Sequence, residues 1–346
     1  MRPLTLPRLL LRCSILAALL FVVVVIALKL GAVQVSLYGL GRDLIHVLLG
    51  QSSAISSDYG MIVVDIRLPR ILLGIVVGAS LSVAGASFQA LLRNPLADPY
   101  VLGVSSGAAV GAILALIVES HLDLTPELAG LITPLGAFLG AAITIAAVYL
   151  LGRRDGQIAS STLLLGGIIT ASFLSAVIIF LMSTLRGSNL RGTVFWLMGD
   201  LSTPQPRSLL YFLLFGFLVA AGVIYTTASD LNLLLAGENE AMHLGVDVPR
   251  VRIVVYLAAS ILTGMAVSVS GAIGYVGLLV PHLMRLIFGS DHRMLLPASA
   301  LGGAIVLVIA DTLARTVVAP SELSVGAVTA LVGAPLFIYL LRRRLA

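Results

Sequence analysis

Ile15-Leu-Ala-Ala-Leu-Leu-Phe-Val-Val-Val-Val-Ile-Ala-Leu28 holds no charged side chain and no alternation of character, and runs like it recur along the 346-residue chain. A helix that crosses a bilayer needs about 20 predominantly apolar residues, whereas a membrane barrel strand shows roughly 10 with a two-residue alternation. The rest of the chain agrees with the first reading. Apolar residues make up 59% and charged residues 11%, where a soluble domain has about 45–50% and about 25%. That leaves too little polar surface to wrap a soluble domain, and it excludes disorder. The sequence predicts an all-α polytopic membrane protein, one transmembrane domain over residues 1–346.

Extending outward from that run places spans at 13–31, 68–92, 101–119, 128–151, 158–185, 208–228, 253–271, 274–289, 295–319 and 324–341, ten in all. Arg2, Arg8 and Arg12 ahead of the first run imitate a signal peptide, but Lys29 stands where a small-residue cleavage site belongs. After it, Leu37, Leu40, Leu44, Val47 and Leu48 recur at helical spacing and predict an amphipathic helix lying in the interface. An even number of spans puts both termini on one side. Arginines at both ends, Arg342, Arg343 and Arg344 at the second, make that side the cytoplasm. Alternate threading leaves 13 of the 21 cations inside; Lys29, Arg42, Arg67, Arg70, Arg186, Arg191, Arg207 and Arg315 fall outside or at the outer boundary. The net charge of +5 therefore reads as contact with lipid phosphates and orientation bias, not as nucleic-acid binding.

Two stretches repeat. Gly78-Ala-Ser-Leu-Ser-Val-Ala-Gly85-Ala matches Gly264-Met-Ala-Val-Ser-Val-Ser-Gly271-Ala at an offset of 186, and Pro95 and Pro281 each lie ten residues beyond the second glycine. Five spans separate the copies, so they run in opposite directions. This is an inverted repeat of spans 2–5 and 7–10, the plan of many transporters.

The chemistry is sparse. The single lysine, Lys29, precedes Leu30, and a phosphate-binding P-loop needs Lys followed by Ser or Thr. Any ATP must be hydrolysed by another subunit. Cys13 is the one cysteine, which excludes a disulfide framework and a cysteine metal site. Asp311 and Arg315, four apart, predict an ion pair on one helix face. Arg285 snorkels, and His282 alone reads as a packing residue. With no carboxylate pair, histidine cluster or Ser/His/Asp set in the spans, the sequence predicts no enzyme, no cofactor and no metal site. An ion-driven carrier would need an ionisable group inside the membrane, for which candidates are few. The longest cytoplasmic loop, 229–252, is more informative. Within it Ala236-Gly-Glu-Asn-Glu-Ala-Met-His-Leu-Gly245 predicts a short helix with acids in its first turn and Gly245 as a left-handed stop. Such a helix fits a partner's groove.

Long motifs then point to a family. Ile66-Arg-Leu-Pro-Arg70, Arg93-Asn-Pro-Leu-Ala-Asp-Pro-Tyr-Val-Leu-Gly-Val-Ser-Ser-Gly107, Phe195-Trp-Leu-Met-Gly199, Gly274-Tyr-Val-Gly-Leu-Leu-Val-Pro-His-Leu-Met-Arg285, Asp291-His-Arg293 and Glu322-Leu-Ser-Val-Gly-Ala-Val-Thr-Ala-Leu-Val-Gly-Ala-Pro335 follow in order. From span 2 onward the chain resembles the FecCD family, permease subunits of ATP-binding-cassette importers for iron-siderophores, haem and vitamin B12. The resemblance implies a homodimer in the bacterial cytoplasmic membrane, two cytoplasmic ATPase subunits and a substrate-binding protein on the outer side. It further implies an ATPase-coupling loop at Gly237, Glu238, Ala241, Leu244 and Gly245, and a cytoplasmic gate at Asn94, Leu96, Ser160 and Ser161. Arg67, Arg70 and Arg315 are expected to form a basic outer rim facing acidic residues of the binding protein. Iron-siderophore is the expected cargo ahead of haem or cobalamin; His46, His121 and His282 do not decide for haem, because the binding protein does most of the selection.

Overall fold

A computed structural model describes residues 5–31, 62–122, 125–154, 157–158, 160–185 and 188–345. The interfacial helix expected around Leu37 to Leu48, with Arg42 and His46, lies outside the described residues, as does Arg186.

Each span begins and ends where local chemistry stops a helix. The first helix, α1 (Leu6–Lys29), opens on Thr5 with proline in its first turn and closes with Lys29 against its negative end. A π-helical turn, Ile62–Arg67, leads into α2 (Leu68–Leu91), again with proline in the first turn. A 3₁₀ turn, Pro99–Leu102, precedes α3 (Val104–Glu119). Then come α4 (Pro126–Gly152), a short antiparallel hairpin pairing Arg153 with Ile158, and α5 (Ser160–Thr184). The helices that follow are α6 (Ser188–Leu197), α7 (Arg207–Thr226), α8 (Ala228–Leu234), α9 (Glu238–His243), α10 (Val248–Ser270), α11 (Val276–Phe288), α12 (His292–Thr316) and α13 (Val325–Leu345).

Seven of these are long and apolar enough to cross a membrane, and three shorter apolar helices, α3, α11 and α13, complete the ten expected spans. Two features were not legible beforehand: α6, and the hairpin before α5. The 229–252 loop also holds two helices, α8 and α9, and its last residues already form the first turn of α10.

The core is built around α2, where every residue from Val76 to Leu92 is buried. Small residues let its neighbours come close. A Cβ on Gly78 would overlap the carbonyl oxygen of Gly303 on α12, and one on Gly85 that of Gly277 on α11. At the other extreme, α5 exposes Leu165, Ile168, Ile169, Phe173, Ile179 and Phe180, a face for lipid or a second copy.

The two repeats are interlocked. The first helix of each packs into the other repeat: α2 against α11 and α12, α10 against α3 and α4. The helix after each break starts from a left-handed N-cap, Gly103 (φ 75°) before α3 and Tyr275 (φ 68°) before α11. The proline correspondence expected from the sequence does not carry into space. Pro95 lies in the α2–α3 connection, while Pro281 is inside α11; Gly85 is mid-helix, while Gly271 (φ 63°) ends α10. Both glycines abut a carbonyl, Gly85 that of Gly277 and Gly271 that of Trp196, but only Gly271 takes a positive φ. The Trp196 carbonyl abuts Gly271 so closely that a Cβ would overlap it, and the chain turns there after 270 instead of continuing.

Candidate functional site

The end expected to face the cytoplasm is assembled from α9 and the turn after α2. The N-cap Gly237 sits at φ 141°, and a Cβ there would meet the Glu240 carboxylate. At the other end Val246 N–H donates to Ala241 O (3.0 Å) and Gly245 N–H to Met242 O (3.0 Å), with Gly245 at φ 88°. That pair of bonds is the Schellman motif, so Gly245 is the left-handed stop the sequence predicted. Ala241 is fully buried and anchors the helix, while Leu244 (64% exposed) and Met242 (51%) project outward. Glu238 forms ion pairs with Arg93 and with Arg252. α9 is thereby tied to the foot of α2 and to the start of α10.

Arg93 takes a left-handed conformation (φ 48°), which turns the chain out of α2. Asn94 then stabilises the turn: its Oδ1 accepts from Leu96 N–H (2.9 Å), and its carbonyl accepts from Ala97 N–H (3.0 Å). Leu96 is 42% exposed. Asn94 and Leu96 thus sit one residue and three residues from the ion pair with Glu238. Ser160 and Ser161 open α5, and Ser161 is exposed. The close approach of α5 is to the 3₁₀ turn Pro99–Leu102, where Gly167 lies against Val101 and Leu102. In the sequence Arg93 stands out only as the first residue of a family motif and Arg252 only as the end of the 229–252 loop; the partner they share lies 145 and 14 residues away.

Halfway up, the breaks in the two repeats meet. The Tyr100 hydroxyl donates to Ile273 O (3.0 Å) and accepts from Ile273 N–H (3.1 Å). Asp200 N–H donates to Ser270 O (2.8 Å), and the Ser324 hydroxyl donates to Met198 O (2.6 Å) and Gly199 O (2.8 Å). Irregular backbone at membrane depth is tolerated only where protein or a cavity satisfies it, and here protein groups do.

At the other end of the molecule the three arginines expected to face the binding protein are buried. Arg67, Arg70 and Arg315 are 5%, 9% and 6% exposed. Arg67 donates to Leu28 O (2.7 Å) and Lys29 O (3.3 Å), the last carbonyls of α1, and Arg315 donates to Ala27 O (3.4 Å). Arg70 pairs with Asp311 (2.9 Å) and Glu322 (2.8 Å), and the predicted Asp311–Arg315 pair forms at 3.1 Å. Guanidinium groups taken out of water need such partners. Helix-terminal carbonyls and a 2%-exposed aspartate supply them. Glu322, 44% exposed, is the open edge of this cluster.

Residues 19–343 match the FecCD transport family. An ABC transporter permease protein of Bacillus subtilis, YvrB, is 44% identical over 94% of this chain and 91% of its own length. The cobalamin import permease BtuC of Halobacterium salinarum is 46% identical over 82% of this chain and 74% of its own. The hemin transport permease HmuU of Yersinia pestis is 44% identical over 81% and 83%. A solved metal-chelate type ABC transporter in an inward-facing conformation superposes with a TM-score of 0.82, 31% identity and coverage of 96% of this chain and 98% of that one.

Proposed function

The chain belongs to the FecCD transport family, and we propose that it is the membrane permease of an ATP-binding-cassette importer for a metal chelate. It is a transport subunit rather than an enzyme. Two copies would enclose the path, using apolar faces such as that of α5, with an ATPase subunit below each and a binding protein above. Both termini face the cytoplasm in this reading.

The observation that carries the mechanism is Glu238. Its two ion pairs make α9 a lever: the exposed Leu244 and Met242 offer apolar surface to an ATPase groove, and a push on them is delivered to Arg93 and Arg252. Arg93 adjoins Asn94 and Leu96, so the coupling element and the gate turn move as neighbours; Ser160 and Ser161 complete the gate from α5. At the outer end, binding-protein docking falls near Arg67, Arg70 and Arg315. Being buried, they act there by holding the ends of α1, α2 and α12 in place.

For the cargo, a ferric siderophore is the reading that the family resemblance favours first. A second reading is favoured by similarity, since the relatives named for cobalamin (46%) and hemin (44%) are more alike than one named for Fe(3+)-citrate (37%). The experiment is uptake into proteoliposomes containing this chain, its cognate ATPase and binding protein, offered a ferric siderophore, hemin and cyanocobalamin in turn. ATP-dependent accumulation of one of them is expected. Accumulation without the ATPase would overturn the importer reading in favour of an ion-driven carrier.

A further inference from the structure

The lever has a second attachment, on α8. The Asn232 carboxamide donates through Nδ2 to Asp291 Oδ1 (2.8 Å), and its Oδ1 accepts from the backbone N–H of His292 (2.8 Å). The same oxygen lies 2.8 Å from His292 Nδ1. Chemistry fixes which way round the amide sits. Asp291 accepts hydrogen bonds from Arg293 through both oxygens, and these bonds hold its carboxyl down at about 2. It is therefore ionised and can only accept, so the amide nitrogen faces it. The amide oxygen then faces the His292 N–H, and His292 Nδ1 must carry its proton toward it. Every position in this contact has one allowed role.

The contact also has a position that matters. Asp291 is the N-cap of α12, its side chain accepting from Arg293 N–H (3.0 Å), and His292 is the buried first residue of that helix. Asn232 thus grips the start of α12, which packs along α2 through Gly78 and Gly303.

We infer that Asn232 is a positioning residue for coupling: its carboxamide fastens α8 to the N-terminus of α12, so that the 229–252 loop drives α12 directly as well as α2 and α10. Glu238 reaches α2 and α10, and Asn232 reaches α12. The inference rests on the permease reading above. A loop clamped at both places cannot tilt on one anchor, and it moves the interlocked helices α2 and α12 together.

The test compares ATP hydrolysis with and without the binding protein on the outer side, in reconstituted complexes of this chain with its ATPase. That ratio measures signal carried through the permease and needs no cargo. Asn232→Asp sets two carboxylates against each other, and the ratio is expected to fall about tenfold, the scale of losing hydrogen bonds to a charged group. Asn232→Ala is expected to fall similarly. The exchange Asn232→Asp with Asp291→Asn places an amide donor where Asp291 Oδ1 stood, restoring a donor facing an acceptor but giving up the cap bond from Arg293 N–H, so it should recover part of the ratio. An unchanged ratio in Asn232→Asp and Asn232→Ala overturns the inference. So does reduced thermal stability with an intact ratio, which would make Asn232 a packing residue only. Should the Asp variant not assemble, amide exchange in the parent complex decides. Nucleotide binding is expected to alter protection of 228–234 and 291–293 together, and a response of one segment alone overturns the clamp. If the parent shows no stimulation at all, the permease reading fails instead.

Discussion

At the scale of single residues, the positions that matter are those where backbone or charge has no alternative. Gly245 sits at φ 88° with open space where a Cβ would go, so the penalty of a side chain there is conformational and not steric. A β-branched residue in that region costs on the order of 1–3 kcal/mol. Gly245→Val is expected to lower transport-coupled ATP hydrolysis, while Gly245→Asn, which tolerates the left-handed region, should stay near the parent. Hydrolysis by complexes of equal assembly is the measurement. Asp311 is the opposite case, a 2%-exposed carboxylate between Arg70 and Arg315. Asp311→Asn leaves two guanidinium groups without that compensating charge and should destabilise the purified chain by about 3–5 kcal/mol. Thermal unfolding in detergent would register this, and an unchanged midpoint would show that Glu322 alone suffices. The Gly245 stop could be read in the sequence because a helix end is a local event. The fate of Asp311 could be read only in part: Arg315 is four residues away, but Arg70 is 241 away.

Helices were located well and their roles less well. The apolar runs predicted all ten spans, and apart from α1, which starts at Leu6 instead of 13, the observed ends lie within about five residues of those expected, because span length answers to bilayer thickness and to nearby Pro, Gly and charge. The equivalence of the two glycine motifs was overdrawn. Gly78 is pressed against the backbone of Gly303, whereas its counterpart Gly264 has Ala141 Cβ at 3.4 Å as nearest neighbour. Gly78→Ala is accordingly expected to loosen α2 from α12 and reduce stability and transport. Gly264→Ala should be close to neutral, since its new methyl meets an ordinary contact. Equal effects of the two substitutions on unfolding temperature would contradict this asymmetry. The short helix α6 escaped prediction because ten residues carrying Asn, Arg, Gly and Thr among apolar ones give no clear period.

For the whole molecule, orientation is the testable claim. In a Cys13→Ala background, a cysteine at exposed Arg250 is expected to be labelled by an impermeant thiol reagent only from the cytoplasm, and one at exposed Thr203 only from outside. Labelling of both from the same side would break the ten-span threading. Composition by itself determined that this chain is a helical membrane protein, because burying 59% apolar residues with 11% charge has few physical solutions. The order of motifs determined the family, and the missing P-loop lysine determined that ATP is handled elsewhere. Only the tertiary structure decided that Arg67 and Arg315 are buried cations on the last carbonyls of α1, that Arg70 pairs with Asp311, and that Glu238 ties the 229–252 loop to α2 and α10 while Asn232 ties it to α12. A span is specified by neighbours along the chain, whereas the environment of a charge is set by whatever folds against it, here from residues up to 288 positions away.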